Sequence, residues 1–157
     1  MAIYMDKAQP SAWKAAEQLS AAISQAAQEV GLPDTESELL KVRASQLNGC
    51  AFCLDLHARE ARAVGIPQQK LDLIPAWRES TAFTAREVAM LSIAEAATVL
   101  PLTPASRTEL AAAQAVLGDD AFAVAEWIAT AINMFNRISI LSHHPVRPRD
   151  AEGKVIR

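Results

Sequence analysis

Two cysteines, Cys50 and Cys53, are the only thiols in the chain, and His57 follows four positions after the second. On a helix, residues three and four apart share a face, so both thiols and the imidazole fall on one stripe. Two thiols at that spacing can close to a disulfide where the local backbone permits it. Asn48-Gly49 breaks the helix before them, which puts both cysteines in the first turn of the next one. Unpaired amide N–H groups at a helix start carry partial positive charge and favour a thiolate over a thiol. The thiolate is the nucleophile, and His57 can take the thiol proton or pair with the thiolate. Glu38 lies on the preceding helix. If the two helices pack side by side, its carboxylate can orient His57 or relay a proton. A structural role competes for Glu38, because Thr35 and Glu38 have capping-box spacing. A glutamate folded back on its own helix start cannot also reach His57.

The elements that position these groups follow from punctuation and periodicity. Gly (5) and Pro (8) are sparse and fall between periodic segments. About seven helices result, with no sustained strand alternation, so the chain reads as an all-α single-domain bundle over residues 1–157. The first follows Pro10-Ser11 and ends at Gly31. The second runs from Asp34-Thr35 to Asn48-Gly49, and the third from Cys50 to Val64 with Gly65 as its stop. A short one follows Pro67. The fifth opens on Thr84, with a capping box to Glu87, and runs to about Leu100. The sixth opens on Thr103-Pro104 and ends at Gly118. The last runs from Asp119 to about His143, and a polar tail, 146–157, is expected to be flexible or draped on the surface. At the end of that last helix, His143-His144 are expected to serve the helix dipole. Trp13, Trp77 and Trp127 read as core or interface residues. The last helix is apolar in nearly every direction, as a buried helix is. A central helix in a monomer would satisfy this; burial against a second subunit is the favoured reading.

Composition narrows the function classes. With 157 residues the chain can bury a real core. A net charge of -3 gives no electrostatic case for nucleic acid or an anionic membrane. There is no basic start followed by an apolar run and no apolar stretch of spanning length, so the expected location is the cytoplasm. In a reducing compartment a close cysteine pair is redox-active or metal-binding more often than a structural staple.

Glu38, the run Val42–His57 containing Cys50-Ala51-Phe52-Cys53, then Ala61 and Gly65, resembles the core motif of the alkyl hydroperoxidase D-like proteins, which belong to the carboxymuconolactone decarboxylase family. The core of the resemblance lies in 36–65. Phe83–Glu87 with Ala94–Thr98, and Asn133–Ile138, resemble later helices of the group. The resemblance implies an all-α fold, homo-oligomers (trimers or hexamers) and thiol-dependent reduction of a hydroperoxide. It makes Cys53 the peroxide-attacking cysteine and Cys50 the resolving one, exposed to a dithiol electron donor protein. His57 and Glu38 become the proton-relay pair. The group's namesake has a second histidine between its cysteines, where this chain has Phe52. The implied chemistry calls for no metal and no organic cofactor.

Other classes fit less well. A zinc module on Cys50, Cys53 and His57 is short of a fourth ligand. A thioredoxin-like protein needs a strand before the cysteine pair, and this segment reads as helix. A cofactor-free decarboxylase has no use for two thiols. Peroxide sensing or disulfide exchange without turnover stands as the alternative.

Overall fold

A computed structural model describes residues 3–156. The described residues form eight α-helices: α1 (Met5–Ala8), α2 (Pro10–Glu29), α3 (Asp34–Asn48), α4 (Ala51–Ala63), α5 (Gln68–Leu73), α6 (Ala85–Thr98), α7 (Pro104–Leu117) and α8 (Asp119–Leu141), with a 3-10 segment, Ile74–Glu79, after α5. The seven expected helices are present, three of them shorter than expected: α4 loses Cys50 and Val64 to its caps, α6 stops at Thr98 and α8 at Leu141. The addition is α1, whose four residues are too few to stand alone in water. It is held by a tertiary bond, Met5 N–H to Ser142 Oγ at 3.0 Å.

Helix α8 packs against α2, α3, α4, α6 and α7. Ala125, Ala129, Ile128 and Ile132 pack there with Leu40 and Ala44 of α3 and Met90, Ile93 and Ala94 of α6. A second cluster joins Leu39 and Val42 of α3 to Ala61, Ile74, Trp77 and Leu91. Helix α3 thus sends one side chain stripe into each core, and it is buried on nearly every side. Truncating a fully buried leucine such as Leu40 to alanine costs about 2–5 kcal/mol. The third tryptophan differs from the other two: Trp77 is buried, Trp13 packs edge-on to Phe135 beside the thiols, and Trp127 is 54% exposed on α8.

The ends of the helices follow local chemistry. Thr84 and Glu87 form the expected capping box of α6. The Thr35–Glu38 box does not form: α3 is preceded by Pro33 and has no side-chain cap. Glu38 turns away toward α4 instead. The tail beyond Pro145 is draped rather than loose, with a bridge between Arg149 and Val155 and the Arg149 guanidinium 3.8 Å from Asp55 on α4.

Candidate active site

The turn between α3 and α4 sets the thiols. Gly49 takes φ 64°, left-handed backbone that glycine adopts without a side-chain penalty. Two reversed bonds close the end of α3: Gly49 N–H to the Gln46 carbonyl and Cys50 N–H to the Ser45 carbonyl, each 3.1 Å. Cys50 therefore finishes one helix and starts the next. It is the N-cap of α4 rather than a residue of its first turn, and its sulfur accepts the Cys53 N–H at 3.3 Å. Beneath this turn, Asn48 donates to Asn133 and Asn136 of α8 at 2.9 and 2.8 Å, and Asn136 donates to Ser45 at 3.1 Å. These amides fasten α3's end to α8 and supply partners to groups that burial would otherwise orphan.

Both thiols are free and buried, Cys50 1% exposed and Cys53 3%. The expectation that Cys50 is exposed to a donor is corrected here: its role as cap draws the sulfur under the first turn of α4. Burial pushes its pKa up to about 12, against the helix N–H that pulls it down. Cys53 borders a cavity of about 480 Å³ whose apolar lining includes Trp13, Phe52, Leu56 and Phe135. His57 borders the same cavity.

His57 Nδ1 donates to Glu38 Oε2 at 2.9 Å and lies 3.1 Å from Glu60. Bonding to a carboxylate fixes the tautomer and leaves Nε2 as the ring's basic atom. Lys41 adds a 2.7 Å ion pair to Glu38. Burial works to raise the Glu38 pKa, but the bond from His57 and the charge of Lys41 outweigh it and hold the carboxyl below its ordinary value. Among the described residues no hydrogen bond joins His57 to either sulfur; what it shares with Cys53 is the cavity. Sequence reasoning missed Glu60, one turn after His57 on α4.

The gathering of Glu38, His57 and Glu60, ligand atoms within 4.8 Å of one another, would suit a cation, but Lys41 already supplies one there. It contains neither cysteine, so the zinc arrangement on Cys50, Cys53 and His57 has no geometric support. His144 has more partners than the end of α8. It does not act simply as a helix-end cation; it lines the cavity with Cys53, bonded to Ser139 and to Asp6 of α1. No signal near the cysteines points to a residue so distant in the chain.

Among the described residues, no helix is long and apolar enough to cross a membrane. The carboxymuconolactone decarboxylase family profile matches residues 10–96, more than half of the chain. YdfG of Bacillus subtilis (strain 168), an uncharacterized protein, is 34% identical over 106 residues, covering 68% of this chain and 72% of YdfG. The crystal structure of ATU0492 from Agrobacterium tumefaciens, a protein of unknown function held to be a candidate antioxidant defence protein AhpD, superposes with a TM-score of 0.81. It is 36% identical and covers 92% of this chain and 97% of its own. With the Glu38–Cys50–Cys53–His57 arrangement on this fold, the chain belongs to the carboxymuconolactone decarboxylase family as an AhpD-like member.

Proposed function

We propose that the protein is a thiol-dependent peroxidase that reduces hydroperoxides through Cys53 and Cys50. The observation that carries this reading is the asymmetry of the pair: Cys53 borders the cavity that also holds His57, while Cys50 is tucked beneath as a helix cap. The Cys53 thiolate attacks the distal oxygen of the peroxide, so that an S–O bond forms as the O–O bond breaks. His57, oriented by Glu38 and carrying at Nε2 a proton taken beforehand from solvent, gives that proton to the departing oxygen, and alcohol or water leaves. Cys50 then attacks the sulfenic sulfur. A disulfide forms, and its thiol proton leaves with the hydroxyl as water. An external dithiol, oxidised in turn, restores both thiols by exchange. The cytoplasm, whose reducing poise keeps such a pair available, is the setting this chemistry needs.

The expected homo-oligomer, trimer or hexamer, belongs to the same reading. Trp127, Leu100 and Leu141 leave large apolar surface that a second copy would cover, and light scattering measures the mass directly.

One observation favours peroxide sensing without turnover: both sulfurs are buried, so a donor needs a local opening to reach the disulfide. The test is to add one equivalent of organic hydroperoxide to reduced protein and follow thiols and intact mass, then repeat with excess dithiol. Loss of two thiols in wild type, a trapped sulfenic acid in Cys50→Ser and inertness in Cys53→Ser support the peroxidase. Oxidation without multiple turnover supports the sensor. Thiols reacting no faster than free cysteine would refute both.

A further inference from the structure

The sulfur of Cys53 makes its own hydrogen bonds, to α8. Its thiol donates to Ser139 Oγ at 3.5 Å and lies 3.9 Å from the Phe135 carbonyl oxygen, both on α8. Ser139 is buried and stands 3.3 Å from His144 Nδ1. The other ring nitrogen, Nε2, donates to Asp6 Oδ1 at 3.2 Å. A carboxylate only accepts, so Asp6 selects the neutral tautomer with its proton on Nε2 and leaves the Nδ1 lone pair for the serine hydroxyl. The donors then run one way, from S–H through O–H to imidazole. Two aromatic rings hold the pose: Tyr4 stacks on the His144 ring at 5.4 Å, and Phe52 meets it in a T-shaped contact at 5.3 Å. The Met5–Ser142 bond secures the helix that carries Asp6.

We propose that Ser139, His144 and Asp6 form a second proton path, separate from Glu38–His57, that takes the thiol proton of Cys53. The inference rests on the reading of Cys53 as the attacking thiol. The Cys53 proton moves to Ser139 Oγ as the Ser139 hydroxyl proton moves to His144 Nδ1. The products are the Cys53 thiolate and a His144 imidazolium paired with Asp6, with no electrons transferred. Ser139 touches the reacting sulfur and is the catalytic member, whereas His144 and Asp6 act through it and are positioning residues. His57, with no hydrogen bond to the sulfur, is left to serve the departing oxygen. Asp6 from α1, Glu17 from α2, and Cys53 and His57 from α4 line the cavity with His144, and the Cys50 thiol stands against both Cys53 and Ser139. Tyr4 stacks on the ring, with the Lys7 ammonium 4.8 Å from the tyrosine centroid.

Alkylation of Cys53 by iodoacetamide, resolved by peptide mass spectrometry from about pH 5 to about pH 10, tests the path without peroxide. Ser139→Ala is expected to slow alkylation at neutral pH about tenfold and move the midpoint of the profile up by about one unit. His144→Phe keeps a ring between Tyr4 and Phe52 but has no nitrogen, and the same shift is expected. Asp6→Asn gives the same direction at about threefold. Ser139→Ala carries the test alone should His144→Phe fail to fold. Profiles of both variants that superpose on wild type overturn the proposal. Peroxide consumption on the same preparations separates the two claims. A variant-sensitive profile in a wild type that spares peroxide upholds the path and sinks the peroxidase; peroxide turnover with superposed profiles does the reverse.

Discussion

Two polar chains flank the cysteine pair, and they are built in opposite ways. On one side, Glu38, His57 and Glu60 come from two consecutive helices joined by one tight turn. On the other, Asp6, Ser139 and His144 come from the two ends of the chain. The first chain needs only α3 and α4 to pack side by side. The second needs α8 to cross behind α4 and α1 to fold back onto it. The local chain never touches a sulfur by hydrogen bond, while the distant one does. Proximity in sequence is thus a poor guide to which groups reach the sulfur, because a helix fixes its own stripe but not what lies opposite.

Several substitutions would break or sharpen this contrast. The largest effect is expected from Glu38→Gln, which leaves His57 without its orienting charge. Peroxide reduction should fall about 100-fold, while Cys53 alkylation changes little, if His57 serves the departing oxygen. Equal loss in both assays would merge the two chains into one. Asn136→Ala removes the shared footing, leaving Asn48 and Ser45 short of partners inside the protein. A loss of about 1–3 kcal/mol in chemical denaturation is expected, with both assays impaired. Gly49→Ala puts a side chain at φ 64° and should cost about 1–2 kcal/mol, a strain borne directly by Cys50.

Acid separates the regions more gently. Glu38 and Glu95 are both held below their ordinary pKa values. For Glu95 burial again opposes the shift, and the bonds from Trp77, Arg78 and Arg43 prevail. A carboxyl lowered by folding stabilises fully above its unfolded value, about pH 4.3, and that contribution disappears as pH falls through the folded value. Melting temperature followed from neutral to acid should therefore drop below that range. Glu95→Gln should flatten the drop without touching Cys53 alkylation, whereas Glu38→Gln should alter both melting and peroxide reduction. The smallest effect is expected from Thr84→Ala, which removes the α6 cap far from the thiols. It should cost about 1 kcal/mol in melting studies and leave thiol reactivity at the wild-type level.

Much of the fold was legible because its signals are local. Gly31, Gly49, Gly65 and Gly118 mark helix ends by the left-handed or positive-φ backbone they permit, and Thr84 and Thr103 mark helix starts by their hydroxyls. The stripe Cys53–His57 is a consequence of helical spacing alone, whereas Cys50, expected on it, lies off it as the extended N-cap of α4. Competition between two local rules was less tractable: capping geometry offered Thr35 as the partner of Glu38, and only the packing of α4 against α3 brought His57 to 2.9 Å instead. The burial of Cys50 likewise came from its double duty at two helix ends, which spacing does not reveal.

The sequence by itself determined where seven of the eight helices run, that Cys53 and His57 share a face of α4, and which glutamate precedes them on α3. Only the tertiary structure decided that Glu38 turns toward His57, that Cys53 and not Cys50 borders the cavity, and that residues 6, 139 and 144 meet beside the sulfur. The physical reason is range. Backbone hydrogen bonding and side-chain periodicity act over about four residues, whereas the order in which α1 and α8 close around α4 depends on burying apolar surface across the whole chain.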